Sequence, residues 1–200
     1  MKFSIHSLFA FAQTSADSEE KSSVSTYTVR QSVQPGDAQL IRVLIAETRS
    51  MKTIRERMRY VSGKLLGAVY LRRPLIGSVT ETEVFVARMD GFDCITFLET
   101  LLSLSRAKSA DEFLALLRKI RYRNGVVEYQ QRLHYATDWA THLVQLGLLG
   151  NMTGGETVVS REKLLDIVPG IKPVFARFCF YPRHELAAVK RWLLDGDLIL

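Results

Sequence analysis

Two residue types in this chain could support nucleophilic chemistry: a cysteine placed at the start of a helix and a histidine set among polar and aromatic neighbours. Cys94 follows Gly91-Phe92-Asp93 and opens the segment CITFLETLLSLSR. Asp93 is a good helix N-cap, so Cys94 falls in the first helical turn. Unsatisfied N–H groups and the helix dipole favour a thiolate there. That dipole supplies about 2 kcal/mol at most. Full activation of a cysteine nucleophile therefore calls for an imidazole partner. The four histidines are His6, His134, His142 and His184. His6 lies in the N-terminal leader. His142 fits a helix, and His184 follows Pro182-Arg183 beside a charged segment. His134 stands in QRLHYATDW, flanked by Arg132, Tyr135, Asp138 and Trp139. That density of hydrogen-bonding and stacking groups in an irregular segment fits a site. It also fits a structural histidine capping a loop. Cys94 has its own plain alternative, because cysteine is often simply packed inside. Cys179, between Phe178 and Phe180, reads as such a core residue on a strand.

The elements that must position these groups follow from periodicity. Leu40, Val43, Leu44 and Glu47 suit a short amphipathic helix, and Ile54, Met58, Val61, Leu65 and Leu66 recur at helical spacing before Gly67. LGAVYLRRPLIGS reads as a loop and Val84 to Ala87 as a short strand. The helix over 94–106 is apolar nearly all round, which predicts burial. Ser109 and Glu112 form a capping box before Phe113, Leu116, Leu117 and Ile120. Asn124-Gly125 predicts a turn. GVVEYQQRLHY is expected as a strand running into a loop. Residues 160–168 and 183–194 read as short helices, and Val174 to Tyr181 as a strand. Helices first and short strands later suggest an α+β domain.

The 200 residues suit one domain with a full hydrophobic core, at 47% apolar content. Residues 1–36 read as a weak secretory signal or a loose leader, followed by a polar linker ending at Pro35-Gly36. The domain occupies 37–200. No stretch is long and apolar enough to span a bilayer. The net charge of +6 favours an anionic partner: nucleic acid, a membrane surface or an acidic wall polymer. No nucleic-acid motif appears. Neither C-x-x-C nor a His/Cys cluster at zinc spacing occurs, which argues against a structural metal.

The motifs fall in a fixed order: RMRYVSGKLLGAVY, PLIGS, GFDCITFLETLLSLSRA, KIRYRNG, QRLHYATDW and DGDLIL. From about Thr53 to Leu200 this resembles the N-acetylmuramoyl-L-alanine amidase-like branch of the NlpC-type, papain-like cysteine amidases. The resemblance implies a papain-like core of helices on a small antiparallel sheet, with Cys94 as nucleophile. It implies hydrolysis of an amide in peptidoglycan or its fragments, no cofactor, and a periplasmic or envelope location. Arg132, Tyr135 and Trp139 become substrate-side residues. The usual base of such proteins follows a strand beginning with Gly-Asp, and this chain stops at Leu200 within that strand. His134 is then the residue that could serve as base, with Asp138 to orient it. The alternatives are an inactive wall-binding protein that kept the cleft and, more remotely, a basic nucleic-acid-binding domain.

Overall fold

The computed structural model describes residues 31–150, 158–191, 193 and 197. The leader through residue 30, with His6, lies outside them, as does most of DGDLIL. The chain is α+β. Most of the main core comes from α1 (Pro35–Thr48), α2 (Ile54–Lys64), α3 (Cys94–Arg106) and α4 (Ala110–Arg121). Short parallel pairs tie the early strands, β1 (Gln31–Ser32) to β3 (Phe85–Val86) and β2 (Val69–Tyr70) to β4 (Gly91–Phe92). Helix α5 (Ala136–Gln145) follows, then an antiparallel hairpin of β5 (Val159–Leu165) and β6 (Val174–Phe180), and a short helix α6 (Leu186–Val189).

Sequence signals explain most helix ends. The Thr53 hydroxyl accepts from Glu56 N while the Glu56 carboxylate accepts from Thr53 N, which starts α2. Ser109 caps α4 by accepting from Glu112 N, but the Glu112 carboxylate accepts from Lys108 N, so the box closes one residue early. Pro35-Gly36, expected to end a linker, instead forms the first turn of α1, where a proline loses no helical hydrogen bond. Asn124 and Gly125 both take left-handed conformations, φ 53° and 68°, and make the expected turn.

Three expectations fail for tertiary reasons. Residues 159–165 form a strand, because Val174–Phe180 pairs with them in register from Val159↔Phe180 to Leu165↔Val174. The stretch after Gly125 makes single 3-10 turns at Arg123–Gly125 and Tyr129–Gln131 and one isolated bridge, Tyr122↔Arg132, rather than a strand. Cys179 is exposed. It shares a hairpin face with Leu164 and Phe175, whereas the other face, with Leu165, Ala176 and Phe178, packs near Tyr135. Strand alternation assigns a residue to a face but does not say which face is covered.

Helix α3 is buried along most of its length, as its sequence predicts, yet it carries an acid inside. Glu99 is 2% exposed and accepts from Arg121 Nε at 2.7 Å. Arg121 also donates to the Val86 carbonyl at 2.5 Å and lies over the Phe85 ring. One guanidinium thereby joins α3, α4 and β3. Removing one partner of a buried pair leaves an uncompensated charge, whereas replacing both with apolar groups costs far less. We expect Glu99→Ala to lower the unfolding free energy by about 3–5 kcal/mol, and Glu99→Leu/Arg121→Met to lose much less. Denaturant unfolding measures both, and equal losses would refute this account.

Candidate active site

The local structure around Cys94 begins with β4. Gly91 has no side chain because Leu71 and the Val69 carbonyl lie where its Cβ would fall, at 2.8 Å. This close approach seats β2 against β4, and Leu71 N donates to the Phe92 carbonyl at 2.8 Å. The next residue, Asp93, caps α3: its carboxylate accepts from Thr96 N at 2.8 Å, and the Thr96 hydroxyl accepts from Asp93 N at 3.0 Å. Cys94 is therefore fixed as the first helical residue, and its side chain is exposed at the end of an otherwise buried helix. The cap takes Thr96 N, while the Cys94 and Ile95 N–H groups have no intrahelical acceptor and are available to an oxygen placed at the helix start.

Behind the loops lies a second buried polar cluster. Glu83 Oε1 accepts from Tyr122 Oη at 2.8 Å and from Arg132 Nη1 at 3.0 Å. Arg132 Nη2 donates to the Gly77 carbonyl at 3.3 Å, and the guanidinium stacks on Tyr129 at 5.0 Å. Glu83 Oε2 is buried without a hydrogen-bond partner. Gly77 has φ 130°, and a Cβ there would meet the Glu83 carboxylate and lie 2.8 Å from its Cα. Burial raises the Glu83 pKa against the opposing pull of Arg132, Tyr122 and Arg121. Burial likewise holds the Tyr122 phenol well above its usual range.

The residues singled out in the sequence occupy unequal positions. Arg132 is a strut between Glu83 and Gly77. Tyr135 is buried, and its hydroxyl accepts from Val168 N at 3.3 Å. Trp139 is 0% exposed in the main core, so it supports the segment from within and presents no surface to a ligand. His134 is half-buried, with its Nε2 2.7 Å from the Tyr129 carbonyl and its ring edge-on to Tyr129. Asp138 pairs with Arg123 at 2.9 Å and does not orient His134. His142 Nε2 lies 2.9 Å from the Lys119 carbonyl, and His184 faces Glu185 at 3.7 Å. Among the described residues, no histidine hydrogen-bonds to the Cys94 thiol. Burial lowers the His134 pKa; the Tyr129 carbonyl opposes this, and Arg132 and Arg123 add to it. Sequence reasoning missed Glu83, Glu99 and Tyr122. An acid inside the apolar run of α3 was the one available signal.

A family model described as AmiA-like, N-acetylmuramoyl-L-alanine amidase-like, matches residues 60–200. The chain belongs to this family. Similar solved structures include a Legionella pneumophila protein of family DUF1460, 28% identical with a TM-score of 0.57, matched over 65% of this chain and 46% of that one. An N-acetylmuramoyl-L-alanine amidase from Bacteroides uniformis is 29% identical with a TM-score of 0.51, over 57% of this chain and 49% of its own. The matched region thus spans about half the length of these two structures. No curated protein sequence matches significantly.

The buried carboxyl makes a pH prediction. Because the Glu83 pKa is raised by folding, the folded state holds its proton more tightly than the unfolded chain, where the value is about 4.3. The stability it contributes is complete below that pH and is lost as pH rises through the folded value. Unfolding free energies across this window should fall more steeply for the wild type than for Glu83→Gln. Parallel curves would show that Glu83 does not titrate differently on folding. For His134, a nuclear magnetic resonance titration should give a midpoint below about 6.5.

Proposed function

We propose that this chain is a cell-wall amide hydrolase with a papain-like, NlpC-type core and Cys94 as its nucleophile. The observation that carries the reading is the exposed thiol at the first position of a capped, buried helix. Membership of an amidase-like family supports peptidoglycan as the substrate. The scissile bond is the amide between the sugar lactyl group and L-alanine, or one within the stem peptide. The amidase-like domain occupies 37–200 behind a leader, and the protein works in the periplasm or envelope.

The chemistry is acyl transfer. The Cys94 thiolate attacks the amide carbonyl carbon, and the oxygen takes the developing charge. N–H groups at the start of α3 receive that oxyanion. The C–N bond then breaks, the amine leaves with a proton, and water hydrolyses the thioester. His134 is the proton carrier in this reading. When its Nε2–H donates to the Tyr129 carbonyl, Nδ1 keeps a lone pair to accept a proton. Its lowered pKa keeps the resting ring neutral, the form a general base needs. The reading requires the 129–135 segment to deliver Nδ1 to the thiol. Arg132 and Tyr135 border the substrate in this scheme, and Trp139 holds their segment from the core.

A second reading is a wall-binding protein that does not turn over. It is favoured by the engagement of His134, His142 and His184 with partners other than Cys94. Hydrolysis of purified muropeptides separates the two. Cys94→Ala should reduce amide cleavage to background, and cleavage that survives it refutes the nucleophile. His134→Ala should abolish turnover while leaving binding intact. Wild-type protein that binds sacculi but releases no amine establishes the second reading.

A further inference from the structure

The chain's positive charge is concentrated. Between residues 49 and 73 there are eight lysines and arginines against one acid, Glu56. That excess is larger than the net +6 of the whole chain. An open cleft of about 860 Å³ lies at the turn from α1 to α2. Its lining includes Lys52, Glu56, Arg59, Tyr60 and Lys64, with Gly63 leaving its floor clear. On α2, residues 56, 60 and 63–64 follow helical spacing, so they share one face. Glu56 is committed to the Thr53 cap. Lys64 sits 5.2 Å from the centre of the Tyr60 ring, and a hydrogen bond to the Tyr60 side chain, then the nearby Glu47, stabilise its charge. Arg57 is spent internally on the Met51 carbonyl. Among the described residues, no salt bridge within 4 Å involves Lys52 or Lys64. Most of this cleft precedes residue 60, where the family match begins.

We infer that the α1–α2 cleft is a second attachment site for peptidoglycan, in which Lys52 and Lys64 hold stem-peptide carboxylates away from the bond at Cys94. This rests on the proposed substrate. Lys52 just precedes α2 and Lys64 ends it, so the two cations stand about one helix length apart, roughly 16 Å, which suits a strand carrying several carboxylates rather than one small anion. Of the cleft's described lining side chains only Met51 and the Tyr60 ring are apolar, whereas a bilayer is engaged by a projecting apolar face. Its single aromatic ring is already covered by Lys64, so it offers no stacking platform of the kind single-stranded nucleic acid uses.

The test is co-sedimentation of the full chain, carrying Cys94→Ala to prevent turnover, with purified insoluble sacculi. Retention should drop steeply between low and high salt, as exposed charge pairs are screened. Lys52→Glu/Lys64→Glu should weaken retention about tenfold, the sum of two modest exposed charge contacts reversed in sign. Lys52→Gln/Lys64→Gln should show a smaller loss, which guards against a folding artefact in the reversed variant. Arg161→Glu/Lys163→Glu changes the same total charge at two exposed positions of β5 and should leave retention intact. Unchanged retention of the cleft variants overturns the site while leaving the substrate reading standing. Equal loss in the β5 variant also overturns it, because bulk charge then accounts for binding. A parent protein that ignores sacculi at every salt overturns the substrate reading itself. Cleft-dependent binding to RNA or anionic vesicles, with sacculi unaffected, reassigns the cleft and overturns the proposal.

Discussion

Arg121 ends α4 inside the protein, where its charge is tolerable only because Glu99 and the Val86 carbonyl meet it. Desolvating a guanidinium and a carboxylate costs several kcal/mol each, and good geometry is needed to recover that cost. The pair is therefore a demanding constraint. It ties α3 to α4, and it pins β3 to both. Because β3 is followed closely by β4, the same constraint holds in place the end of α3 that the Asp93 cap starts. The position of Cys94 depends on it.

The neighbouring cluster extends this logic to the loops. Tyr122, next to Arg121, turns its hydroxyl to Glu83, and Arg132 joins the same carboxylate to the Gly77 carbonyl. The segments before α3 and after α4 are thus held by polar contacts rather than by regular sheet. This explains how short strands of two residues persist here. Their backbone ladders are too brief to be stable alone, and the buried side chains supply the missing rigidity. Glu83 Oε2 remains without a partner, a local cost carried by the rest of the cluster.

Charge is used in two ways. Inside, cations are matched one by one with acids and carbonyls. On α2 and its flanking turns they are concentrated on the surface beside very few acids. The first arrangement builds the frame around Cys94. The second gives the α1–α2 face a field able to draw in an anionic strand.

The sequence by itself determined what local chemistry controls. Asp93 before an apolar run specifies the start of α3 and the first-turn position of Cys94, whose exposure only the fold decided. Thr53 with Glu56, and Ser109 with Glu112, specify the starts of α2 and α4, while Asn124-Gly125 specifies a turn. The ordered motifs from RMRY to QRLHY carry the family. Tertiary structure decided the rest, because long-range partners are absent from local pattern. Residues 159–165 are a strand only because β6 lies beside them, and Cys179 is exposed because the hairpin covers its other face. Arg132, Tyr135 and Trp139 looked alike as polar and aromatic neighbours of His134. The fold made the first a strut, buried the second against the β5–β6 hairpin and sealed the third in the core. It also gave each described histidine a partner other than the thiol. The place of the cysteine at the start of a helix was legible in the sequence; what faces it depends on contacts between residues far apart in the chain.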